Sequence, residues 1–326
     1  MSLKITKAGI LDTVQDLGRN GHRHLGVNPS GAMDSFSAQL SNALLGKDLA
    51  DSVIELHFPA SSFLFEKDTT ACICGGNFSP FIDDQAVALN QPFCVRSGTT
   101  LKFTKLQSGA RAYLSIVSGL NIPLWLGSYS TNLRAGAGGW QGRSLKTNDQ
   151  LPFKHDTHLP FFSKEKPMKK MSWKAAEIIN DCTTLNCLYG NEWDWLTDTG
   201  KRNVLNTTFL VKSNSDRMGY YLQGKKLSVR NSAQLVSTAV DSGTIQLLPN
   251  GQLIILMTDH QTTGGYPRIA HVTTCSLSSV AQLKPNAVIR FNFISMKEAE
   301  QELFQRRNYL DQLRLASKAR IEKVLS

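Results

Sequence analysis

The 326-residue sequence predicts a mainly β protein that is built from tandem β-barrel units, with a few helices and one helix at the C-terminus. Three observations favour this fold class. Short runs of β-branched residues recur along the chain, a set of motifs occurs twice in the same order, and helical periodicity is clear in only two segments. The length also exceeds the roughly 250–300 residues at which a single core stops growing.

The predicted strands are short runs that are often bounded by Gly, Pro, Asn or Ser. They cover residues 53–58, 71–74, 99–103, 112–117, 244–248, 253–257 and 287–291. The first predicted helix covers residues 34–45. Its apolar side chains recur at helical spacing, and the residue that follows it, Gly46, is a typical helix terminator.

The second predicted helix covers residues 296–325, where apolar side chains fall on an alternating three–four spacing. Arg306, Ser317 and Arg320 interrupt this apolar face, so we do not expect a long coiled coil. The first half has enough apolar positions to pack on a barrel. We expect residues 314–326 to be loosely held, either as a frayed chain end or as a contact for a partner subunit.

A loose internal repeat divides the chain. The spacing R-x-G-x4-G begins at Arg19 and again at Arg217, and each copy is followed in the same order by an Ile-x-Leu triplet, a Gly-Gly pair and a triplet that ends in Phe. The copies predict two similar β-rich units over roughly residues 9–103 and 207–291. The predicted division is a first unit with a glycine-rich loop and a basic linker at 1–185, a second unit at 186–295 and the C-terminal helix at 296–326.

The composition narrows the class of protein. Hydrophobic residues make up 41% and charged residues 19%, which is typical of a globular chain. The net charge is +10, but the basic residues are spread out, and the densest cluster, at 164–174, has no helix-turn-helix, zinc-finger or stacking-aromatic motif. We therefore expect an anionic small substrate or an acidic partner and no nucleic acid.

Targeting signals and metal motifs are absent from the sequence. No apolar run approaches the ~20 residues of a membrane span, and the N-terminus does not resemble a signal peptide, so we expect a cytoplasmic location and no membrane contact. The cysteines form no C-x-x-C pair, which favours buried, reduced thiols and no metal site. They are Cys72, Cys74, Cys94, Cys182, Cys187 and Cys275.

The first polar segment precedes and enters the first predicted helix. Arg19 lies beside a glycine turn, and its planar guanidinium matches a carboxylate or a phosphate, so it is a candidate catalytic residue. The alternative is a salt bridge to Asp16. Gln15, Ser30 and Asp34 are candidate substrate-binding residues. Alternatively, Ser30 caps the helix and Asp34 lies in its first turn.

The second polar segment, residues 127–143, combines glycines, hydroxyl groups and the two arginines Arg134 and Arg143. Glycines let backbone N–H groups approach an anion closely, so the segment is a candidate anion pocket or lid in which both arginines bind substrate. It is not a Walker A loop, because no Gly-Lys-Ser/Thr follows. A flexible surface loop is the alternative.

The third polar segment directly follows an apolar predicted strand, where protein folds often present functional groups. Asp259 is a candidate catalytic base, or a residue that orients one. Gln261, Thr262 and Thr263 offer the donors and acceptors that an amide or ureido substrate needs, and Tyr266 is a further candidate for substrate binding. The alternative is a polar turn that satisfies its own backbone.

The fourth polar segment contains the second copy of the repeated motif. By the argument used for the first copy, Asp216 and Arg217 are candidate substrate-binding residues. His260 is the only histidine inside a polar segment, and no Ser-His-Asp order or activated cysteine is apparent, so an ATP-dependent reaction requires residues from a partner. We expect four candidates to converge on one cleft: Arg19, Asp259, Gln261 and Thr262.

Five stretches together resemble the allophanate hydrolase subunit 2 family, which is also called the biotin-dependent carboxyltransferase or Kip antagonist family. The resemblance covers roughly residues 4–315 in unchanged order. The stretches that carry it are T-V-Q-D-L-G-R at 13–19, S-G-A-M-D at 30–34, L-G-S-Y-S-T at 126–131, S-D-R-M-G-Y at 215–220 and Q-T-T-G-G-Y-P at 261–267.

The resemblance implies a fold of tandem cyclophilin-like β-barrels. It also implies a subunit of 5-oxoprolinase, which converts 5-oxo-L-proline and ATP to L-glutamate, ADP and phosphate together with subunits A and B. ATP would then be bound here or on the partner, and biotin is not expected on this chain. Two alternatives remain open. One is a carboxyltransferase-type component of a urea carboxylase and allophanate hydrolase system, and the other is a regulatory protein that antagonises a kinase inhibitor.

Overall fold

The computed structural model describes residues 2–155, 166–176, 183–230 and 235–325. In these residues the chain forms 21 strands and four α-helices, so the predicted mainly β fold with a C-terminal helix is confirmed. The chain divides into two compact units. The first consists of Met1–Arg19, Asp34–Ile178 and Arg307–Ser326, and the second consists of Asn20–Met33 and Ile179–Arg306.

The first unit contains twelve strands. They are β1 Ser2–Lys7, β2 Thr13–Gln15, β3 Val53–Leu56, β4 Ser62–Phe65, β5 Thr69–Asn77, β6 Pro80–Ile82, β7 Gln85–Ala86, β8 Phe93–Val95, β9 Thr100–Phe103, β10 Ser108–Ile116, β11 Gln150–Pro152 and β12 Met168–Lys170.

The second unit contains nine strands. They are β13 Thr184–Tyr189, β14 Phe209–Val211, β15 Gly219–Gln223, β16 Thr238–Ala239, β17 Thr244–Leu247, β18 Leu253–Leu256, β19 Thr263–Gly264, β20 Arg268–Val272 and β21 Val288–Phe293. The helices are α1 Ser35–Leu44, α2 Asp198–Asn206, α3 Thr274–Ala281 and α4 Met296–Leu325.

Two six-stranded sheets form the first unit, in the orders β11-β1-β4-β9-β6-β7 and β12-β8-β5-β10-β3-β2. Their facing side chains share one core, to which Phe63 and Leu101 come from the first sheet and Ile73 and Leu114 from the second. Side chains on a strand alternate between faces, so Cys72 and Cys74 of β5 lie on the opposite side, in a cluster with α1 and the end of α4. The five described cysteines are buried and free, and Cys182 lies outside the described residues.

A closed barrel forms the second unit, in the order β13-β20-β17-β18-β15-β14-β21. The parallel pairing of β13 with β21, in which Leu185 lies opposite Phe291, closes it. Apolar side chains of its strands fill the interior. A separate two-stranded ribbon, β16 with β19, carries the Gln-Thr-Thr-Gly-Gly segment.

The structure divides the chain discontinuously, whereas the sequence predicted continuous ranges. Residues 20–33 belong to the second unit because their backbone and side chains bond to Arg217 and Asp259 of the barrel. Consequently Gly26, the last glycine of the first motif copy, lies in a different unit from Arg19. The two Gly-Gly pairs also differ, since one lies in the nine-residue strand β5 and the other at the short strand β19. The superposition of residues 9–103 on 207–291 stays a prediction.

The end of α4 packs in the cluster that contains α1, Cys72 and Cys74, contrary to the expectation of a loosely held tail. Ile321 is 8% exposed and Ser317 is 1% exposed. The helix backbone at Lys318 lies against Gly46, where an added Cβ would come within 2.6 Å of the Lys318 Cα. Arg320 lies over the ring of Trp173 at 5.9 Å. Two of the polar residues that interrupt the apolar face, Ser317 and Arg320, therefore take part in packing.

Two short helices, α2 and α3, were not predicted. Both are capped by threonine side chains that accept from backbone N–H groups, Thr197 from Gly200 and Thr273 from Ser276. Their weak apolar periodicity hid them, because α3 is rich in serine and α2 contains Gly200. Among the described residues no helix is long and apolar enough to cross a membrane. Part of the predicted basic linker is the edge strand β12, and Lys164 lies outside the described residues.

Candidate functional site

The second unit holds a buried ion pair of Arg217 with Asp259, close to the ends of two neighbouring strands. Arg217 lies two residues before β15, and Asp259 lies three residues after β18, which pairs with β15. An aspartate turn fixes the backbone at Arg217, because the Oδ1 atom of Asp216 accepts from the backbone N–H groups of Met218 and Gly219 at 2.8 and 3.3 Å. Asp216 itself is exposed, and its one described role is to shape this turn.

The guanidinium of Arg217 grips the carboxylate of Asp259 with two nitrogens. Nε donates to Oδ2 at 2.7 Å, and Nη2 donates to Oδ1 at 3.3 Å. The side chains are 8% and 11% exposed, so the pair is largely removed from water. Charge-assisted, two-pronged pairs of this kind are among the strongest polar contacts in proteins, and they fix both groups in orientation.

Segment 28–31 wraps around this ion pair. The hydroxyl of Ser30 donates to Asp259 Oδ1 at 2.8 Å, and Arg217 Nη2 donates to the carbonyl of Gly31 at 2.7 Å. Ser30 has a φ of +56°, a left-handed conformation that costs a non-glycine residue about 1–3 kcal/mol. The side chain of Asn28 adds a bond to the Asp259 carbonyl at 3.0 Å. Such strain, held by a buried polar network, is typical of functional sites.

Ser30 therefore does not cap the first helix. Asp34 is the N-cap of α1, since its carboxylate accepts from the Ser37 backbone N–H at 3.0 Å and from the Ser37 hydroxyl at 2.6 Å. The sequence alternative placed Asp34 within the first turn of the helix, whereas it is the residue immediately before that turn. The first turn was misjudged because both residue types favour the cap position and only the tertiary contact of Ser30 with Asp259 separates them.

His260 was not among the predicted site residues, although it follows Asp259 directly. Its ring is fully buried, and Nδ1 lies 2.5 Å from the carbonyl oxygen of Gln261. Because a carbonyl can only accept, Nδ1 carries the proton and Nε2 keeps its lone pair. Nε2 has no hydrogen-bond partner among the described residues. Burial lowers the pKa of the ring, so it is neutral at pH 7 and able to accept a proton.

The predicted residues after His260 are more exposed. Gln261 and Thr263 are exposed, Thr262 is half-buried, and its carbonyl accepts from Val240 at 3.2 Å. Tyr266 is 44% exposed. These side chains border the ribbon of β16 and β19, where a bound molecule could reach them.

In the first unit, Asp16 organises the glycine-rich loop. Its carboxylate accepts from the hydroxyl of Ser128 at 2.7 Å, from the backbone of Tyr129 at 2.6 Å and from the backbone of Gly18 at 2.7 Å. Arg19 is 2% exposed and donates to the carbonyl of Ser130. Its guanidinium also stacks over the ring of Trp125 at 4.5 Å. Both charged groups therefore hold the loop in place.

The other predicted residues of the first unit also have local partners. Arg143 makes a two-pronged pair with Asp149 at 2.7 and 2.8 Å, whereas Arg134 is exposed at the loop surface. Gln15 is buried, its Nε2 donates to Thr13, and its Oε1 has no partner in the described part of the chain. The glycine-rich loop of the first unit is thus held by hydrogen bonds, and of its two arginines only Arg134 is exposed.

Two expectations remain predictions. Arg19 belongs to the first unit, whereas Asp259, Gln261 and Thr262 belong to the second, and their convergence on one cleft is not tested by the geometry within either unit. ATP binding is not tested either. Within the described ranges, no group of three or more His, Cys, Asp or Glu side chains could hold a metal ion.

Comparison with known proteins supports the resemblance seen in the motifs. Residues 25–293 match the family described as carboxyltransferase domain, subdomain A and B. The chain is 34% identical to the C subunit of 5-oxoprolinase from Haemophilus influenzae, over 93% of this chain and 94% of that protein. It is 32% identical to the C subunit of 5-oxoprolinase from Escherichia coli, over 95% and 97%. The crystal structure of K. lactis urea amidolyase matches with a TM-score of 0.87 and 27% identity, covering 96% of this chain and 20% of that one.

Proposed function

Because the chain belongs to the carboxyltransferase domain family, subdomain A and B, we propose that it works as the C subunit of an ATP-dependent 5-oxoprolinase. The reaction hydrolyses the lactam of 5-oxo-L-proline, with water and ATP consumed, to L-glutamate, ADP and phosphate. The proposed partners are subunits B and A. Since the reaction consumes ATP, the proposal places the chain in the cytoplasm, with ATP bound by this chain or by its partner.

One observation carries the proposal. The C subunits of the two bacterial 5-oxoprolinases share 34% and 32% identity with this chain, and the matches extend over more than nine tenths of each protein. Arg217 lies within the signature stretch at 215–220, and its partner Asp259 lies two residues before the stretch at 261–267. The proposal therefore assigns the chemistry of the reaction to the buried polar cluster around this ion pair.

Within the proposal, Asp259 positions other groups. Its carboxylate already accepts from two guanidinium nitrogens and from Ser30, so a base role would require breaking these bonds. His260 is better suited to accept a proton, because its Nε2 keeps a lone pair in a neutral, buried ring. Arg217 and Ser30 fix the loop that holds Asp259 and His260. In the proposal, His260 is the base that takes a proton from the water that attacks the lactam.

The test is turnover by the reconstituted complex. ATP hydrolysis that depends on 5-oxo-L-proline is measured with the chain alone and with its candidate partner subunits. We expect no turnover by the chain alone and turnover by the complex. Robust activity of the isolated chain would refute the division of labour, and an inactive complete complex would refute the function.

Substitution of the central carboxylate sharpens this test. Asp259→Asn should lower turnover of the complex at least tenfold, which corresponds to about 1.4 kcal/mol of barrier. Asp198→Asn is the matched control, because Asp198 forms an exposed ion pair with Arg230 in the same unit. Unchanged turnover of Asp259→Asn would remove this cluster from the mechanism.

A carboxyltransferase component of a urea carboxylase is the second candidate, favoured by the TM-score of 0.87 with urea amidolyase. The identity to that structure, 27%, is lower than the identity to either of the two bacterial C subunits. The two candidates separate in one assay: urea with a carboxybiotin donor tests the second, and 5-oxo-L-proline with ATP tests the first.

A further inference from the structure

A cavity lies on the barrel unit, and neither Arg217 nor Asp259 lines it. Its volume is about 440 Å³. Strands β13, β17 and β20 form its wall, and the 3₁₀ turn Arg23–Leu25 contributes Arg23. Pockets of roughly 300–1,000 Å³ hold small organic ligands, so the space suits a molecule of amino-acid size.

The cavity contains a pair of opposite charges that still have unused hydrogen-bond donors and acceptors. Arg23 Nη2 donates to Asp241 Oδ1 at 2.8 Å. The side chains are 40% and 57% exposed, so water and solutes reach both groups. Neither the Nε and Nη1 atoms of Arg23 nor the Oδ2 atom of Asp241 has a partner among the described residues. Exposed ion pairs contribute little to folding, and a pair with free donors and acceptors can bind a third group at small cost.

The rest of the lining does not compete for the same ligand groups. Arg268 is taken up by Glu192, with contacts of 2.9 and 2.7 Å. Burial lowers the pKa of His271, so its ring is neutral at pH 7, and it has no hydrogen-bond partner in the described part of the chain. Tyr189 and Val240 supply apolar walls. The open charges of the cavity are thus one cation and one anion, side by side.

We propose that this cavity binds a small molecule with a carboxylate next to an N–H donor. The carboxylate would accept from the open N–H groups of Arg23, and the N–H would donate to Asp241 Oδ2. Amino acids and lactam acids share this chemistry. The choice between them rests on the proposed function, since L-glutamate carries an ammonium group and 5-oxo-L-proline a lactam N–H.

The test is binding of L-glutamate and of 5-oxo-L-proline to the full chain, without ATP or partner subunits, by calorimetry and by NMR shifts. Acetate, which lacks the N–H donor, is the reference ligand. We expect saturable binding of at least one of the two acids, weakened at least tenfold by Arg23→Gln. Asp241→Asn should weaken the same acid about tenfold and leave acetate unchanged.

Arg230→Gln is the matched control, because Arg230 forms an exposed ion pair with Asp198 elsewhere in the unit. Tighter binding of L-glutamate identifies the ammonium-bearing class, and tighter binding of 5-oxo-L-proline identifies the lactam class. Absence of saturable binding to the folded wild-type chain, or binding that both Arg23→Gln and Asp241→Asn leave intact, overturns the proposal. Turnover of the complex plays no part in this test, so its failure and that of the proposed function are distinguishable.

Discussion

Arg19 and Arg217 begin the two copies of one motif, yet the two units use them differently. In each copy an aspartate side chain accepts from a nearby backbone N–H, Asp16 from Gly18 at 2.7 Å and Asp216 from Met218 at 2.8 Å. Both arginines are buried. Arg19 donates to a backbone carbonyl and stacks on an indole, whereas Arg217 pairs with the carboxylate of Asp259.

The comparison separates two uses of the same sequence pattern, of which one holds a loop and the other orders a carboxylate. Arg19 holds a loop, and its charge is spread over a carbonyl dipole and an aromatic face. Arg217 orders a carboxylate, a strained serine and, through Asp259, the segment that carries His260. A motif therefore identifies a buried arginine, and the partner decides what that arginine does.

The largest expected effect is on the buried pair of the second unit. Arg217→Met should lower the free energy of unfolding by about 3–5 kcal/mol, because Asp259 would be left as an uncompensated buried charge. Denaturant unfolding measures the loss. Arg230→Met, which breaks an exposed pair, should cost less than about 1 kcal/mol. If Arg217→Met loses no more stability than Arg230→Met, the buried pair contributes no more to folding than the exposed pair, which contradicts the prediction.

The next effect concerns the end of α4, which the structure assigns to the first unit. Ile321→Ala should lower the free energy of unfolding by about 2–4 kcal/mol, because it truncates a buried side chain in the cluster with α1. Leu315→Ala on the same helix is the control, since Leu315 is 60% exposed. Thermal unfolding of both variants decides the matter. Equal midpoints would restore the interpretation of a loosely held tail.

A smaller effect distinguishes the two roles considered for Arg19. Arg19→Lys keeps the charge but loses the planar stacking on Trp125, so it should cost about 1–2 kcal/mol of stability. If Arg19 only holds the loop, turnover of the folded complex should change less than about threefold, within roughly 0.7 kcal/mol of barrier. Arg307→Lys is the control, because Arg307 is an exposed arginine of the same unit. A large loss of turnover in a stable Arg19→Lys protein would make Arg19 catalytic.

The smallest effect is a difference in pH dependence between the units. Burial raises the pKa of Asp12, in the first unit, to about 6. An acid with a raised pKa in the folded state favours folding at low pH, so this contribution is lost as the pH rises through about 6. Between pH 5 and pH 7, the free energy of unfolding of the wild type should therefore fall by about 1 kcal/mol relative to that of Asp12→Asn.

His260 and His271 make the stability of the second unit change with pH in the opposite direction. Burial lowers both pKa values, so their contribution is present above the ordinary pKa of 6.5 and is lost as the pH falls below it. Hydrogen exchange of each unit, compared between wild type and Asp12→Asn at matched pH, measures the difference. A variant effect that does not change with pH in the first unit would contradict the raised pKa of Asp12.

The sequence determined the local features of this protein. All seven predicted strands and both predicted helices are present, because β-branched runs and three–four spacing are properties of neighbouring residues. The five signature stretches also indicated the family, which the match over residues 25–293 confirms. The helices α2 and α3 escaped because their helical signal lies in single threonine caps.

Only the tertiary structure decided how the polar residues are used. The bond from Ser30 to Asp259 joins residues 229 positions apart, and the bond from Arg217 to Gly31 joins residues 186 apart. No periodicity reports such contacts, so the sequence left Ser30 as a candidate for substrate binding or a helix cap, and it predicted a loosely held end of α4. Burial makes these contacts energetically important. Removal from water makes each paired charge depend on its partner, and only the folded chain specifies which partner that is.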